Sequence, residues 1–163
     1  MHTRIVPRPT PPPVPSADDD IAALLRRLPL FAGLDAVELE GLALGGEVTT
    51  AHPGQVVQAQ DVPVRWWHIV LGGHAIVQRD GTPLGLLTKG DSWSEHSLLN
   101  GMRSPIAVVA LSPLTLFTVH LQRFFALPED HPVLAGRLVA RSAASPDRLA
   151  VPVLNALAHS GTA

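Results

Sequence analysis

The chain has 163 residues, a formal net charge of −2 and 46% hydrophobic residues, which indicates one globular domain with a substantial core. Its basic residues are scattered, and this argues against broad nucleic-acid binding, because that binding needs clustered cations to neutralise phosphates. The absence of cysteine excludes disulfides, thiolate nucleophiles and cysteine-based zinc sites.

No apolar run approaches the roughly 18 residues that a membrane helix needs, so we expect no contact with a membrane. The N-terminal sequence MHTRIVPRPTPPPVP has no apolar segment of the kind that a secretory signal requires. These features, together with the missing cysteines, favour a cytoplasmic protein.

The first part of the chain divides into a leader and a helical segment. Residues 1–17 are rich in proline, which favours extended geometry and predicts a disordered leader. Residues 18–46 carry apolar side chains at helical spacing and predict two short helices. The first helix follows three aspartates and ends before Pro29. The second begins at Asp35, which is spaced from Glu38 as in a capping box, and it ends at a glycine pair.

From residue 47 to residue 120 the pattern changes from helical spacing to that of strands. Short apolar runs alternate with Gly, Pro and Asp turns, as in WWHIVLGGHAIVQRDG, which is typical of antiparallel sheets. The predicted fold is therefore mostly β, an antiparallel β-roll or jelly roll with α-helices before and after it.

Residues 121–163 become helical again and end in a tail. The run from Leu121 to Leu127 predicts a short helix that Pro128 stops, and Pro132 is expected at the first position of the next helix. The apolar face of this second helix is predicted to consist of Val133, Leu134, Leu138 and Val139.

The stretch LTKGDSWSEHSLLNGMRSPIAVVAL, residues 87–111, is predicted as strand, turn, short helix, loop and strand. The helix spans residues 94–101: the Ser94 hydroxyl can cap its first N–H groups, Glu95 suits the helix dipole, and Gly101 ends it. The N-terminus of a helix held between strands, beside a basic residue, can bind an anion. The alternative is a plain connection that packs into a core through Trp93, Leu98 and Leu99.

The predicted chain begins with short helices, continues as an antiparallel roll with one short internal helix, and ends with further helices. This order resembles the cyclic nucleotide-binding domain. The resemblance runs from about Leu24 to about Val139. LRRLPLFAGLDAVELEGLA looks like the family's first helical segment, PGQVVQAQDVPVRWWHIVLGGHAIV like its strand core, and GDSWSEHSLLNGMRSPIAVVAL like its phosphate-binding cassette. The resemblance implies a sensor that binds cyclic AMP or cyclic GMP, with no other cofactor.

The resemblance also implies roles for residues of the cassette. Glu95 stands where a glutamate accepts the ribose 2′-hydroxyl, while helix N–H groups and one guanidinium hold the phosphate. Trp93 takes the place of an aromatic residue, and Leu98 and Leu99 match a buried leucine pair. The candidate ligand-binding residues are Trp93, Ser94, Glu95, His96, Ser97, Arg103, Ser104 and Ala107.

Three positions of the cassette depart from the family pattern. Ser94 replaces a glycine where the backbone meets the ligand, and Ala107 replaces a threonine or serine. A gapless alignment puts Ser104 at the phosphate-binding arginine, with Arg103 one residue away in a loop where a slip of one residue would bring it into place. Loss of one partner of a buried charge pair costs about 2–5 kcal/mol, so ligand binding depends on where Arg103 points.

Metal binding, catalysis and DNA binding each lack their sequence signatures. His68 and His74 are separated by the glycine hairpin, whereas a metal needs three or more ligands that converge. No nucleophile elbow, P-loop or paired acid occurs at a recognisable spacing, and residues 145–163 are too few and too interrupted by proline for a helix-turn-helix. We therefore predict no enzyme, no metal site and no nucleic-acid partner.

Two interpretations remain open. In the first, the protein is a stand-alone sensor whose C-terminal helices signal cyclic nucleotide binding to a protein partner. In the second, the roll is a scaffold for protein–protein interaction, and its own side chains fill the pocket. The C-terminal helix implies a homodimer, since members of the family often pair there, although Pro152 argues against a long coiled coil.

Overall fold

The computed structural model of the chain describes residues 20–147. The predicted leader, residues 1–17, and the predicted tail beyond Asp147 lie outside the described residues. Between residues 20 and 147, no helix is both long enough and apolar enough to cross a membrane.

This part of the chain contains eight strands and five α-helices. The strands are β1 (Glu47–Ala51), β2 (Val56–Gln58), β3 (Trp66–Gly72), β4 (Ala75–Arg79), β5 (Thr82–Leu87), β6 (Ser92–Trp93), β7 (Ala107–Ala110) and β8 (Leu114–His120). The helices are α1 (Ile21–Arg26), α2 (Ala36–Leu44), α3 (Glu95–Leu99), α4 (Leu121–Asp130) and α5 (Pro132–Ser142), with a 3-10 turn at Pro29–Phe31.

The strands form two four-stranded sheets whose orders are β1-β8-β3-β6 and β2-β7-β4-β5. All of their pairings are antiparallel. The helices flank the sheets at both ends of the chain, and α3 interrupts the strands between β6 and β7. The predicted fold, a mostly antiparallel β-roll with flanking helices, is confirmed.

Apolar side chains form two cores, one on each face of the first sheet. Strand β3 contributes to both, because successive side chains of a strand point to opposite faces. Trp67 and Ile69 pack in the core that contains the helices, whereas Val70 packs in the core between the two sheets. The rings of Phe31 and Phe124 meet Trp67 edge-on, with ring centroids 6.5 and 5.8 Å away. The helices are thus held on one face of the first sheet.

Side-chain caps fix the starts of several helices. The carboxylate of Asp35 accepts a hydrogen bond from the Glu38 N–H at 2.8 Å, and the Glu38 carboxylate accepts from the Asp35 N–H at 3.0 Å. The predicted capping box is therefore confirmed. Asp20 caps α1, and His120 Nδ1 accepts from the Gln122 N–H at the start of α4.

Helix α4 is longer than predicted, because it continues through Pro128 to Asp130. The prediction that this proline stops the helix is wrong. Proline lacks an N–H and crowds the preceding turn, but here only the last turn is affected. The backbone still closes that turn, since the His131 N–H donates to the Leu127 carbonyl at 2.6 Å.

Helix α5 begins with Pro132 at its first position, as predicted. Its predicted apolar face is wrong in part, because Leu134 and Leu138 are buried whereas Val133 and Val139 are mostly exposed. Residues four apart share one face of a helix, so the two leucines point to the core together and the valines lie to either side of them.

The turn between β3 and β4 carries the chain from the first sheet to the second, so these two strands do not pair and the predicted glycine hairpin is wrong. Gly73 has a φ of +86°, and a Cβ atom at this position would collide with the Pro113 carbonyl. Only glycine combines this left-handed backbone with so close an approach. The two sheets are therefore joined at a position that tolerates no side chain.

Candidate functional site

The candidate site consists of α3, the turn before it and the loop after it. The helix covers Glu95–Leu99, shorter than the predicted span of residues 94–101. Asn100 follows the last helical residue, and Gly101 has a φ of +60°. The Gly101 N–H donates to the Leu98 carbonyl at 3.3 Å, as in a helix that a left-handed glycine ends. Gly101 therefore stops the helix, as predicted.

Ser94 precedes α3 in the left-handed backbone conformation, with a φ of 83°. The prediction that its hydroxyl caps the helix is wrong, because the side chain makes no capping hydrogen bond. A capping side chain normally starts from extended backbone, which Ser94 does not have. Its buried Oγ finds no hydrogen-bond partner among the described residues. The left-handed conformation favours glycine, the residue that the family resemblance implies here.

Glu95 is completely buried, with 0% of its surface exposed. Its Oε1 accepts hydrogen bonds from Trp67 Nε1 at 3.0 Å and from Ser92 Oγ. Its Oε2 accepts from Ser145 Oγ at 2.9 Å. Side chains of β3, β6 and the segment after α5 thus bind both oxygens of this carboxylate, and every one of these donors is uncharged.

The partners of Glu95 lie on the helix side of the first sheet. Trp67 belongs to the core that contains the helices. Ser92 is next to Trp93, which packs between the two sheets, and neighbouring side chains of a strand point to opposite faces. The Glu95 carboxylate therefore points toward the helices and away from the interior of the roll.

Inside the roll, Trp93 is stacked on His68, with the ring centroids 4.5 Å apart. Burial lowers the pKa of His68 from 6.5 to about 4, because a charged imidazole is poorly solvated there. The ring is therefore neutral at pH 7. Trp93 Nε1 and His68 Nδ1 are buried without a hydrogen-bond partner in the described structure. The aromatic residue of the cassette is thus part of the core.

Two residues after α5 reach the start of α3. Asp147 Oδ2 accepts a hydrogen bond from the Ser97 backbone N–H at 2.7 Å. The hydroxyl of Ser145 lies between the carboxylates of Glu95 and Asp147. The first N–H groups of a helix have no partner within it, so Asp147 caps α3 from 50 residues away. Sequence reasoning missed both residues, because their turn-like pattern does not show what they contact.

The loop after α3 turns Arg103 outward. Its side chain is exposed, and Nη1 donates to the Asp61 carbonyl at 2.7 Å. Ser104 is buried, and its hydroxyl donates to the Ile106 carbonyl at 2.7 Å. Two backbone hydrogen bonds join Ser104 to the segment at Asp61 and Val62 and fix this register. The slip of one residue that would bring Arg103 into the cassette is not present.

The remaining candidate residues occupy mixed positions. His96 and Ala107 are half-buried, and Ser97 is buried with its hydroxyl unpartnered among the described residues. Leu98 packs in the core that contains the helices. Leu99 is 39% exposed, so the expected buried leucine pair is wrong for this residue. Adjacent residues of a helix point in different directions, and α3 has only one face against the core.

A groove of about 370 Å³ lies between α3 and α4, and we call it the α3–α4 groove. Phe125 at its edge is 53% exposed, and Met102 is also exposed. The side chains that line the groove include Pro63, Val64, Met102, Arg103, Leu121 and Phe125. The surface is mostly apolar and carries one guanidinium.

Comparison of the sequence finds no matching family model and no matching curated protein. The fold, by contrast, matches solved structures. PfPKA-R bound to cAMP has a TM-score of 0.68 and 19% identity, over 84% of this chain and 46% of its own. PKAR CBD2 bound to Sp-2Cl-cAMPS has a TM-score of 0.67 and 18% identity, over 83% of this chain and 87% of its own.

A third similar structure is the regulatory subunit of a cAMP-independent protein kinase A from Trypanosoma cruzi, bound to guanosine. It has a TM-score of 0.67 and 24% identity, over 83% of this chain and 48% of its own. This chain therefore spans about half the length of that protein and of PfPKA-R. At these identities the likeness concerns the fold, and it agrees with the resemblance in the sequence: this chain has the fold of a cyclic nucleotide-binding domain.

Proposed function

We propose that the chain is a regulatory module that acts through protein contacts, and that its cassette holds a segment of the chain itself in place of a cyclic nucleotide. The observation that carries this proposal is the position of the cassette's guanidinium. Ser104 stands where the phosphate-binding arginine is expected and bonds to the Ile106 carbonyl, while Arg103 faces solvent. Loss of the guanidinium that would pair with the phosphate of a nucleotide costs about 2–5 kcal/mol, or roughly 30- to several-thousand-fold in affinity.

The contacts of Glu95 support the same proposal. Trp67, Ser92 and Ser145 already donate to its two oxygens. Three of the roughly four acceptor positions of this carboxylate are taken, so a ribose hydroxyl would have to crowd in beside these donors, or displace one, at a carboxylate with no exposed surface. Exchange of one neutral donor for another gains little free energy, so Glu95 offers a nucleotide no strong attachment.

The structural neighbours favour a regulatory role over a catalytic one, since they are regulatory subunits and their cyclic nucleotide-binding domains. One of them belongs to a kinase described as cAMP-independent. A fold does not determine the ligand of a site, so the choice of ligand rests on the residues of the cassette.

The α3–α4 groove is the surface that we propose for a protein partner. Exposed aromatic and methionine side chains beside an arginine are the residue types that anchor protein interfaces, and Phe125, Met102 and Arg103 supply them. Val133 and Val139 are exposed on two sides of α5, and we propose that this helix forms the contact in a homodimer. Light scattering of the purified protein measures that oligomeric state.

The second candidate function is cyclic nucleotide sensing. It is supported by the buried hydroxyls of Ser94 and Ser97, which have no partner among the described residues. Buried polar groups are usually hydrogen-bonded, so two unpartnered hydroxyls at the start of α3 are consistent with a ligand or water that would satisfy them. In this case Arg103 would have to leave the Asp61 carbonyl and turn inward.

Calorimetric titration with cyclic AMP and with cyclic GMP, each to millimolar concentration, tests the two candidates. We expect no saturable heat from the wild-type protein. Saturable micromolar binding that disappears in Arg103→Ala and in Glu95→Ala would contradict our proposal and support the second candidate. Arg26→Ala is the matched control, because Arg26 is also exposed and lies in α1, outside the cassette.

A further inference from the structure

The segment Ser145–Asp147, which we call the capping segment, follows α5 and contacts the start of α3. Ser145 Oγ donates to Glu95 Oε2 at 2.9 Å, and Asp147 Oδ2 accepts from the Ser97 N–H at 2.7 Å. Both contacts join residues 50 positions apart. Each end of the capping segment therefore has its own hydrogen bond to α3.

These contacts are closed to solvent. Ser145, Asp147, Glu95 and Ser97 are all buried. Buried hydrogen bonds to charged groups are among the stronger ones, so the capping segment is held in a defined position. Water that could replace either partner is excluded from both contacts.

Few apolar contacts add to these hydrogen bonds. Ala143 and Ala144, which connect α5 to the capping segment, are exposed, and Pro146 is only half-buried. Free energy from apolar burial grows with the area removed from water, and this area is small here. The hydrogen bonds of Ser145 and Asp147 therefore carry most of the attachment, and the loss of one of them is enough to weaken it.

Attachment of the capping segment also restrains α5. Arg141, in the last turn of that helix, donates to the Gly90 carbonyl at 3.2 Å, in the turn before β6. Arg137 donates to the Leu30 carbonyl at 2.9 Å. The end of α5 is thus tied to the turn that leads to the cassette and, through the capping segment, to α3 itself.

We propose that the capping segment is an autoinhibitory contact, which keeps the cassette closed and the end of α5 docked until a ligand or partner displaces it. The Ser97 N–H has a single proton to donate, and Asp147 holds it. Another acceptor can bind there only after the Asp147 carboxylate leaves. Release of the segment removes one of the two ties at the end of α5 and leaves only the hydrogen bond from Arg141 to the Gly90 carbonyl. This inference rests on the proposed function, since it gives the regulation of that same cassette.

Amide hydrogen exchange of the isotopically labelled protein tests the contact directly. In Asp147→Ala, the Ser97 amide should exchange at least about tenfold faster, because a hydrogen bond to a charged group contributes about 1.5–3 kcal/mol. Amides of β8 should keep their wild-type rates. Asp147→Asn retains a carbonyl acceptor and should recover part of the protection.

The matched control is Glu129→Ala, which removes an exposed carboxylate from α4. It should leave the Ser97 amide at the wild-type rate. An unchanged Ser97 amide in Asp147→Ala, with β8 still protected, would overturn the proposal, as would an equal change in Glu129→Ala. If the Asp147→Ala substitution also speeds exchange in β8, the Asp147→Asn protein gives the test instead. Partial recovery of protection at the Ser97 amide then supports the proposal, and no recovery contradicts it. The exchange measurement uses no nucleotide, so a negative result in it is distinct from a negative result in the calorimetric titration that tests the proposed function.

Discussion

The hydroxyl of Ser145 lies 2.9 Å from Oε2 of Glu95, a carboxylate with no exposed surface. A residue beyond α5 thus binds the glutamate of the cassette. The other oxygen of Glu95 accepts from Trp67 and Ser92. Glu95 therefore links three parts of the fold: β3, β6 and the capping segment.

Ser145→Ala should destabilise the protein, because it removes a donor from a buried carboxylate. We expect a loss of about 1.5–3 kcal/mol, the range for hydrogen bonds to charged groups. Ser142→Ala removes an exposed hydroxyl that bonds only to the Val139 carbonyl and should change stability by less than about 0.5 kcal/mol. Urea denaturation measures both values. Equal effects of the two substitutions would show that Glu95 does not depend on Ser145.

Phe124 and Phe125 are neighbours in α4 but have opposite environments, 3% and 53% exposed. Phe124 packs edge-on against Trp67, so Phe124→Ala should cost about 3–5 kcal/mol. Phe125→Ala should cost only about 0.5–1.5 kcal/mol, because its ring is half exposed in the α3–α4 groove and meets Phe124 edge-on at 5.7 Å. Thermal or urea unfolding gives both costs. A large loss in Phe125→Ala would remove the argument that this ring is available to a partner.

The buried His68 should make stability fall at acid pH. Its pKa is 6.5 in the unfolded chain and about 4 in the fold. Between these values the unfolded state binds more protons than the folded state, so stability decreases as pH falls from 6.5 toward 4. The difference between the two pKa values corresponds to about 3 kcal/mol of unfolding free energy.

His68→Phe keeps a ring against Trp93 and removes the titrating group, so it isolates this effect from carboxylates that titrate in the same range. Unfolding free energies of both proteins should be measured across that range. The wild type should lose about 3 kcal/mol more than the variant. Parallel curves for the two proteins would contradict a buried neutral His68.

Ser94→Gly should stabilise the protein. The left-handed conformation costs a non-glycine residue about 1–2 kcal/mol, and Ser94 adopts it with an unpartnered buried hydroxyl. Part of the gain is offset by the greater freedom of glycine in the unfolded chain, so we expect about 1 kcal/mol at most. Ser97→Gly, within α3, should instead cost about 0.5–1 kcal/mol. A loss of stability in both variants would contradict the assigned backbone at Ser94.

Much of the fold could be predicted from the sequence, because its signals are local. The capping box at Asp35 and Glu38 and the short strands after residue 47 each depend on neighbouring residues. The pair Gly72 and Gly73 predicted a hairpin, which is wrong, because the local pattern does not show that β3 and β4 join different sheets. Pro128 was misjudged for a related reason. Proline disfavours a helix interior wherever it stands, but its cost depends on how many turns follow it, which the local pattern does not show.

The site could be predicted only in part. The spacing of residues in the sequence located α3 and singled out Glu95. It could not show where the Glu95 carboxylate and the Arg103 guanidinium point. The register of the loop, set by backbone hydrogen bonds of Ser104 to the segment at Asp61 and Val62, decides where Arg103 points. The contacts of Ser145 and Asp147 with α3 join residues 50 positions apart. A single sequence contains no signal for such a pairing.

The central claim, that the cassette holds its own chain in place of a cyclic nucleotide, is tested most directly by the free energy of unfolding as cyclic AMP or cyclic GMP is added. A ligand that binds only the folded state stabilises it by about 1.4 kcal/mol for each tenfold rise in concentration above its Kd. We predict no change for the wild type up to millimolar nucleotide. A steady rise that begins at micromolar concentration and is absent in Glu95→Ala would contradict the claim.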